Sequence, residues 1–254
     1  FENPRAFQGK GVTTWEGLIK SVRAKVKGTK VKIRLGASSG EWKAMVADEA
    51  ARTTFAKNIK TVLEKNKLDG IDLDFEWAEN EKEYKDYSLA ILKMREVLGN
   101  KYLFSVSLHP VCYKISKEAI EAVDFISLQC YGPSPVRFPI EKYCSDIQMV
   151  LEYGIPKEKL VAGVPFYGVT KDNSKKTEAY FNFVQNGLVT SPAQNEVIYQ
   201  GDTYVFDGQD NIRIKTRYAK EQKLKGMMSW DLATDLPLSD SRSLLKTMTE
   251  ELRE

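Results

Sequence analysis

The chain has 254 residues, with 38 basic and 35 acidic side chains, and a net charge of only +3. That balance argues against dedicated nucleic-acid binding, and no apolar run approaches the length of a membrane span. Three cysteines (Cys112, Cys130, Cys144) are too few for a disulfide framework and have no metal-ligand spacing, and with His109 the single histidine, zinc chemistry and histidine triads are disfavoured. No metal or cofactor is expected. The first residue is Phe1 rather than Met, as in a processed or incomplete sequence, so the missing leader says little about compartment.

Residues 1–12 lack periodicity and read as loop. Thr13 or Thr14 can cap a helix over 15–26, with Leu18, Ile19, Val22 and Val26 on one face, ended by Lys27-Gly28. Val31 to Leu35 alternates as a strand and leaves through the small residues Gly36 to Gly40. A helix is expected over 48–66, a strand over 68–77 and an amphipathic helix over 82–98. The rhythm continues with strand 102–108, helix 116–123, strand 125–131, helix 140–153 and strand 160–165. Residues 171–208 break it. They are polar, turn-rich and aromatic in patches, as expected of an insertion with short antiparallel strands. A helix over 211–222, a strand over 226–230 and a helix over 239–252 close the chain. The basic residues Arg213, Lys215, Arg217, Lys220, Lys223 and Lys225 are expected on a solvated helix face. No repeat or linker marks a second domain, so 1–254 reads as one domain with the 171–208 insertion. Strands alternating with helices argue for a parallel α/β sheet wrapped by helices. Six such strands are counted, where eight close a barrel.

The densest chemistry lies between Leu68 and Trp77. Asp72, Asp74 and Glu76 alternate with Ile71, Leu73 and Phe75, so on a strand the three acids share one face and the apolar residues the other. Carboxylates stacked in this way repel unless protons are shared or partners supplied, an arrangement suited to an acid that donates a proton near neutral pH. An exposed strand face and a cation site are the bland alternatives. The apolar flanks weigh against the first, and the lack of an Asp/Asn-rich loop against the second.

With Asp69, these acids resemble, at every fixed position, the Asp-x-x-Asp-x-Asp-x-Glu signature of family 18 glycoside hydrolases, and further matches extend from about Val31 to Asp235. The resemblance implies a (β/α)8 TIM barrel. The six strands would be its third to eighth, the first two being absent from this chain, and the insertion would lie between the seventh and eighth. It implies hydrolysis of β-1,4-linked N-acetylglucosamine, in chitin or chito-oligosaccharides, with retention and with the substrate's own acetamido oxygen as nucleophile. Glu76 would be the general acid, Asp74 would hold the acetamido N–H, and Asp72 would share a proton with Asp74. Asp69, off the parity of the others, would be structural.

Phe125 to Gly132 resembles the family's sixth strand, with Gln129 and Tyr131 facing the acetamido carbonyl. Gly132 departs from the family's Asp or Asn. Gly163-Val-Pro165-Phe-Tyr167-Gly168 resembles the seventh strand. Gly226 to Trp230, with Asp235, resembles the eighth, where Met228 and Trp230 would contact the reactive sugar and the indole would floor its subsite. Gly36-Ala-Ser38-Ser39-Gly40 matches the third strand only loosely. Trp42 and Trp77 are secondary sugar-platform candidates, and His109 either touches substrate or packs at a turn. The implied partner is a carbohydrate containing N-acetylglucosamine, and the implied setting is secreted, extracellular or lysosomal. A chitinase-like lectin and an endo-β-N-acetylglucosaminidase acting on N-glycans are the rival readings.

Overall fold

The computed structural model describes residues 14–38, 40–132, 138–172 and 176–254. The expected loop 1–12, the Thr13 cap and Ser39 lie outside the described residues. Two compact units divide the chain, one within Phe1–Val106 and Ile115–Asp124, the other within Ser107–Lys114 and Phe125–Glu254.

The first unit runs α1 (Trp15–Lys25), β1 (Arg34–Ala37), α2 (Trp42–Ala47), α3 (Glu49–Asn66), β2 (Gly70–Leu73), α4 (Glu81–Leu98), β3 (Leu103–Leu108, its last two residues counted with the second unit) and α5 (Lys117–Ala122). Its helices start where side chains satisfy orphan N–H groups: Thr14 accepts from Gly17, Asp48 from Ala51, Asn80 from Glu83 and Ser116 from Ala119. The strands are parallel, and the register sets Gly36 beside Asp72 and Asp72 beside Ser105. Leu35, Ile71, Leu73, Phe104 and Val106 are buried between the strands and α3 and α4, whose Ile59, Leu63 and Ile91 are fully enclosed.

The second unit carries β4 (Phe125–Leu128), α6 (Ile140–Tyr153) and β5 (Leu160–Pro165), then β6 (Tyr167–Thr170), β7 (Thr177–Ala179), α7 (Tyr180–Gln185), β8 (Glu196–Tyr199) and β9 (Asp202–Val205). It ends with α8 (Gln209–Glu221), β10 (Gly226–Trp230), a 3-10 turn at Leu232–Thr234 and α9 (Leu244–Arg253). Strands β4, β5 and β10 are parallel neighbours. The insertion supplies β7, β8 and β9, which join β6 in a four-stranded antiparallel sheet in the order β7-β6-β9-β8. It has its own aromatic core: the Phe183 ring meets Tyr204 and Phe206 at 5.4 Å and Tyr199 at 5.8 Å.

Several expectations shift. The acidic strand pairs only over Gly70–Leu73, and the chain beyond it leaves the ladder. Helices α2 and α7, at six residues each, were not foreseen. Lys215 is not on a solvated face. Its Nζ donates to Asp207 Oδ2 at 2.5 Å and to the Phe138 carbonyl at 2.8 Å, with the two charged side chains 2% and 0% exposed. Among the described residues no helix is long and apolar enough to cross a membrane.

Candidate active site

The alternation read from the sequence is visible as a burial contrast. Ile71, Leu73 and Phe75 are buried, Asp72 and Asp74 are half-buried, and Glu76 is exposed. Hydrophobic burial of one parity therefore presents the three acids on the other, and they emerge towards solvent in chain order. Asp69 ties strands together, its Oδ2 accepting from Ile33 N at 2.8 Å. Asp72 Oδ1 accepts from the Ser105 hydroxyl, which in turn accepts from Arg34 Nη1. The guanidinium lies 3.9 Å from the same carboxylate oxygen. Burial pushes the Arg34 pKa down while Asp72 and Asp124 oppose the shift. The Asp74 N–H donates to the Ala37 carbonyl at 2.9 Å. Past it, the Glu76–Trp77 peptide is cis, and Trp42 Nε1 donates to the Glu76 carbonyl at 3.1 Å.

Trp42 is 1% exposed and stacks on Phe75, which removes it as a sugar platform. Trp77, at 37%, remains open to solvent. Ser105 and Arg34 escaped the sequence reading. One signal was present: Lys32 and Arg34 place charge at alternate positions of a strand entering a glycine exit.

In the second unit, Gln129 and Tyr131 are both buried just beyond β4, where the Gln129 N–H donates to the Leu108 carbonyl at 2.8 Å. The Tyr131 hydroxyl points at Met228 Sδ, 3.9 Å away, and the Tyr131 ring meets Tyr167 edge-on at 6.4 Å. Gly163 makes this packing possible. A Cβ there would stand 2.6 Å from the Leu128 carbonyl oxygen, 2.8 Å from Met228 Cε and 3.0 Å from Tyr131 Cε1. The His109 imidazole is buried and accepts from Val111 N at Nδ1, 3.3 Å. A Cβ on Gly132 would fall 2.5 Å from its Nε2. Trp230, at the end of β10, is 56% exposed. Asp235 instead accepts from Ser243 Oγ and from the N–H groups of Leu244 and Leu245 at 2.9–3.0 Å, which fixes the start of α9. Cys130 is a buried thiol whose pKa burial pushes up to about 12, so it is inert as a nucleophile.

A family model described as glycosyl hydrolases family 18 matches residues 10–235. The chain belongs to that family. "Probable chitinase 2" of Drosophila melanogaster is 23% identical over 273 residues, spanning 81% of this chain and 56% of that protein. This family 18 chain thus spans little more than half the length of that relative. Among solved structures, a chitinase from Bacteroides thetaiotaomicron superposes with a TM-score of 0.81 at 22% identity, covering 92% of this chain and 80% of the other. A chitinase-like agglutinin from Robinia pseudoacacia gives 0.77 at 19% identity, over 93% and 84%. The six parallel strands, with their helices and the insertion between β5 and β10, are those of a partial (β/α)8 barrel of family 18 type.

Within the first unit, then, this family 18 chain brings Asp72, Asp74 and Glu76 to one face. Within the second it gathers Tyr131, Tyr167 and Met228, with Gln129 buried near Tyr131 and Trp230 presented at a strand end.

Proposed function

We propose that this chain carries the catalytic groups of a chitinase-type glycosidase that hydrolyses β-1,4-linked N-acetylglucosamine with retention of configuration. The observation that carries the reading is the parity of Asp72, Asp74 and Glu76 against the buried Ile71, Leu73 and Phe75, in a chain whose family is glycosyl hydrolases family 18. Glu76 donates its proton to the glycosidic oxygen as the bond from that oxygen to the anomeric carbon breaks. Asp74 is the neighbouring carboxylate on the same face, about 7 Å of chain away, and two groups side by side do not flank a sugar from opposite faces. The attacking group is therefore the substrate's acetamido oxygen, which closes on the anomeric carbon, and Asp74 accepts from the acetamido N–H and stabilises the cationic ring. Glu76, now a carboxylate, takes a proton from water as that water attacks the same carbon. The ring reopens, the product keeps the β configuration, and Glu76 is again protonated.

Within the second unit, the family pattern assigns Gln129 and Tyr131 as hydrogen-bond donors to substrate, Tyr167 and Met228 as sugar-lining side chains, and Trp230 as an exposed indole for a pyranose C–H face. A carbohydrate-degrading role of this kind fits a secreted protein. The test is turnover of chitobiose and chitotriose analogues alongside a high-mannose glycopeptide, with Glu76→Gln as control. The variant is expected to lose turnover of unactivated substrates and keep oligosaccharide affinity, since a transition-state proton alone is removed. Retained activity in Glu76→Gln would remove Glu76 from the mechanism. Binding without turnover by the unmodified chain would select the lectin reading, and preference for the glycopeptide the endoglycosidase one.

A further inference from the structure

We propose that Trp42 is a positioning residue for Glu76, its indole N–H holding the backbone at the general acid, with α2 serving as the bracket of the loop that carries it. The inference rests on Glu76 being the acid, as argued above. The last ladder contact of this segment is the bond from Asp74 N to Ala37 O. From there to Asn80 the chain belongs to no strand or helix, and the Glu76 side chain is exposed. A side chain in that position keeps a reactive geometry only if its backbone is held from outside the strand.

Three contacts from helices hold it. Trp42 Nε1 donates to the Glu76 carbonyl at 3.1 Å. Lys43 Nζ bridges Glu79 and Glu83, 2.9 Å to each. Glu83 Oε2 accepts from Glu79 N at 2.8 Å. Trp42 and Lys43 are adjacent on α2, so two consecutive residues of one short helix grip the same loop. The lysine contact is partly exposed and contributes little, whereas the indole is locked. It lies nearly parallel to Phe75 at 5.4 Å and tilted against Tyr87 at 5.5 Å, and the Tyr87 hydroxyl donates to the Leu73 carbonyl at 3.3 Å. The ring stack needs only an aromatic side chain. What tryptophan adds over phenylalanine is the N–H, and that donor is spent on residue 76.

Trp42→Phe separates the two roles, keeping the stack and deleting the donor. We expect kcat to fall about tenfold, equivalent to ~1.4 kcal/mol of barrier, with KM within about twofold of the original value. Unchanged kcat, or a loss of activity that merely follows loss of folded protein, would overturn the proposal. A second readout is independent of turnover. In protein labelled with 13C at glutamate carboxyls, the Glu76 resonance, identified by its absence in Glu76→Gln, should shift in Trp42→Phe. An unmoved resonance overturns the bracket. A shifted resonance in a chain that hydrolyses nothing would uphold the bracket and reject the general-acid role, so the two readings fail separately.

Discussion

Replacing Lys215 by methionine keeps most of the side-chain stem and removes one buried charge. In the intact chain the ammonium donates to Asp207 at 2.5 Å and to the Phe138 carbonyl at 2.8 Å, and it sits 5.5 Å from the Tyr143 ring. After substitution, of the contacts described for Asp207, the one from Asn211 Nδ2 at 3.1 Å remains. Removing one partner of a buried pair costs about 3–5 kcal/mol. Burial already pushes the Asp207 pKa up, opposed by Lys215 and Asn211, so without the lysine it rises further. A raised folded-state pKa means that the native chain holds a proton the unfolded chain releases above about 3.9. The variant's stability therefore falls as pH rises from about 4 towards its folded pKa, and the deficit against the unmodified chain is wider at pH 7 than near pH 4. Urea unfolding at both pH values measures this. The double variant Lys215→Met with Asp207→Leu should recover most of the loss at pH 7, since no buried charge is then left alone. A single variant within about 1 kcal/mol of the unmodified chain at pH 7, below the range expected for a broken buried pair, would refute the reasoning. So would a double variant no more stable than the single.

Gly163→Ala should destabilise by about 1–3 kcal/mol, because the added methyl meets the Leu128 carbonyl oxygen, Met228 and Tyr131 together. Thermal melts check this, and a neutral substitution would show that the packing there is loose. A thiazoline analogue of N-acetylglucosamine oligomers should inhibit competitively, since it resembles the cyclic intermediate. Substrates with 2-hydroxyl in place of 2-acetamido should not turn over, and ready cleavage of a plain β-glucan would end the substrate-assisted account.

The acid stack was legible because its signal is local. Alternation of Ile71, Leu73 and Phe75 with acids needs only the two-residue period of extended chain, and that period persists to Glu76 although the ladder stops at Leu73. Where the ladder stops depends on neighbouring strands, and sequence does not show them. The relay from Arg34 through Ser105 to Asp72 was hidden for the same reason, since it rests on a register that joins residues more than thirty positions apart. Helix α2 is under two turns long, too short to show a 3.6-residue period. Trp42, just past the glycine exit of a strand, reads equally as platform or core until its burial is known. Lys215 was lost in a group. At about 100° per residue, Arg213, Arg217 and Lys220 keep to one side of α8 while Lys215 turns some 200° from Arg213, a distinction the sequence contained. Asp235 lies in a stretch that resembles a functional strand, yet its carboxylate caps α9.

The contact between His109 and Gly132 has an evolutionary consequence. The imidazole nitrogen stands 2.5 Å from where any side chain at 132 would begin, a separation that Cβ atoms do not tolerate against a fixed ring. The aspartate or asparagine expected at 132 from the family pattern therefore cannot be installed by a single substitution while the ring stays in place. Either the His109 ring turns aside or a smaller residue takes its place. The two positions are therefore coupled: a carboxylate or amide at 132 is admitted through a changed rotamer, or a changed residue, at the chain's one histidine.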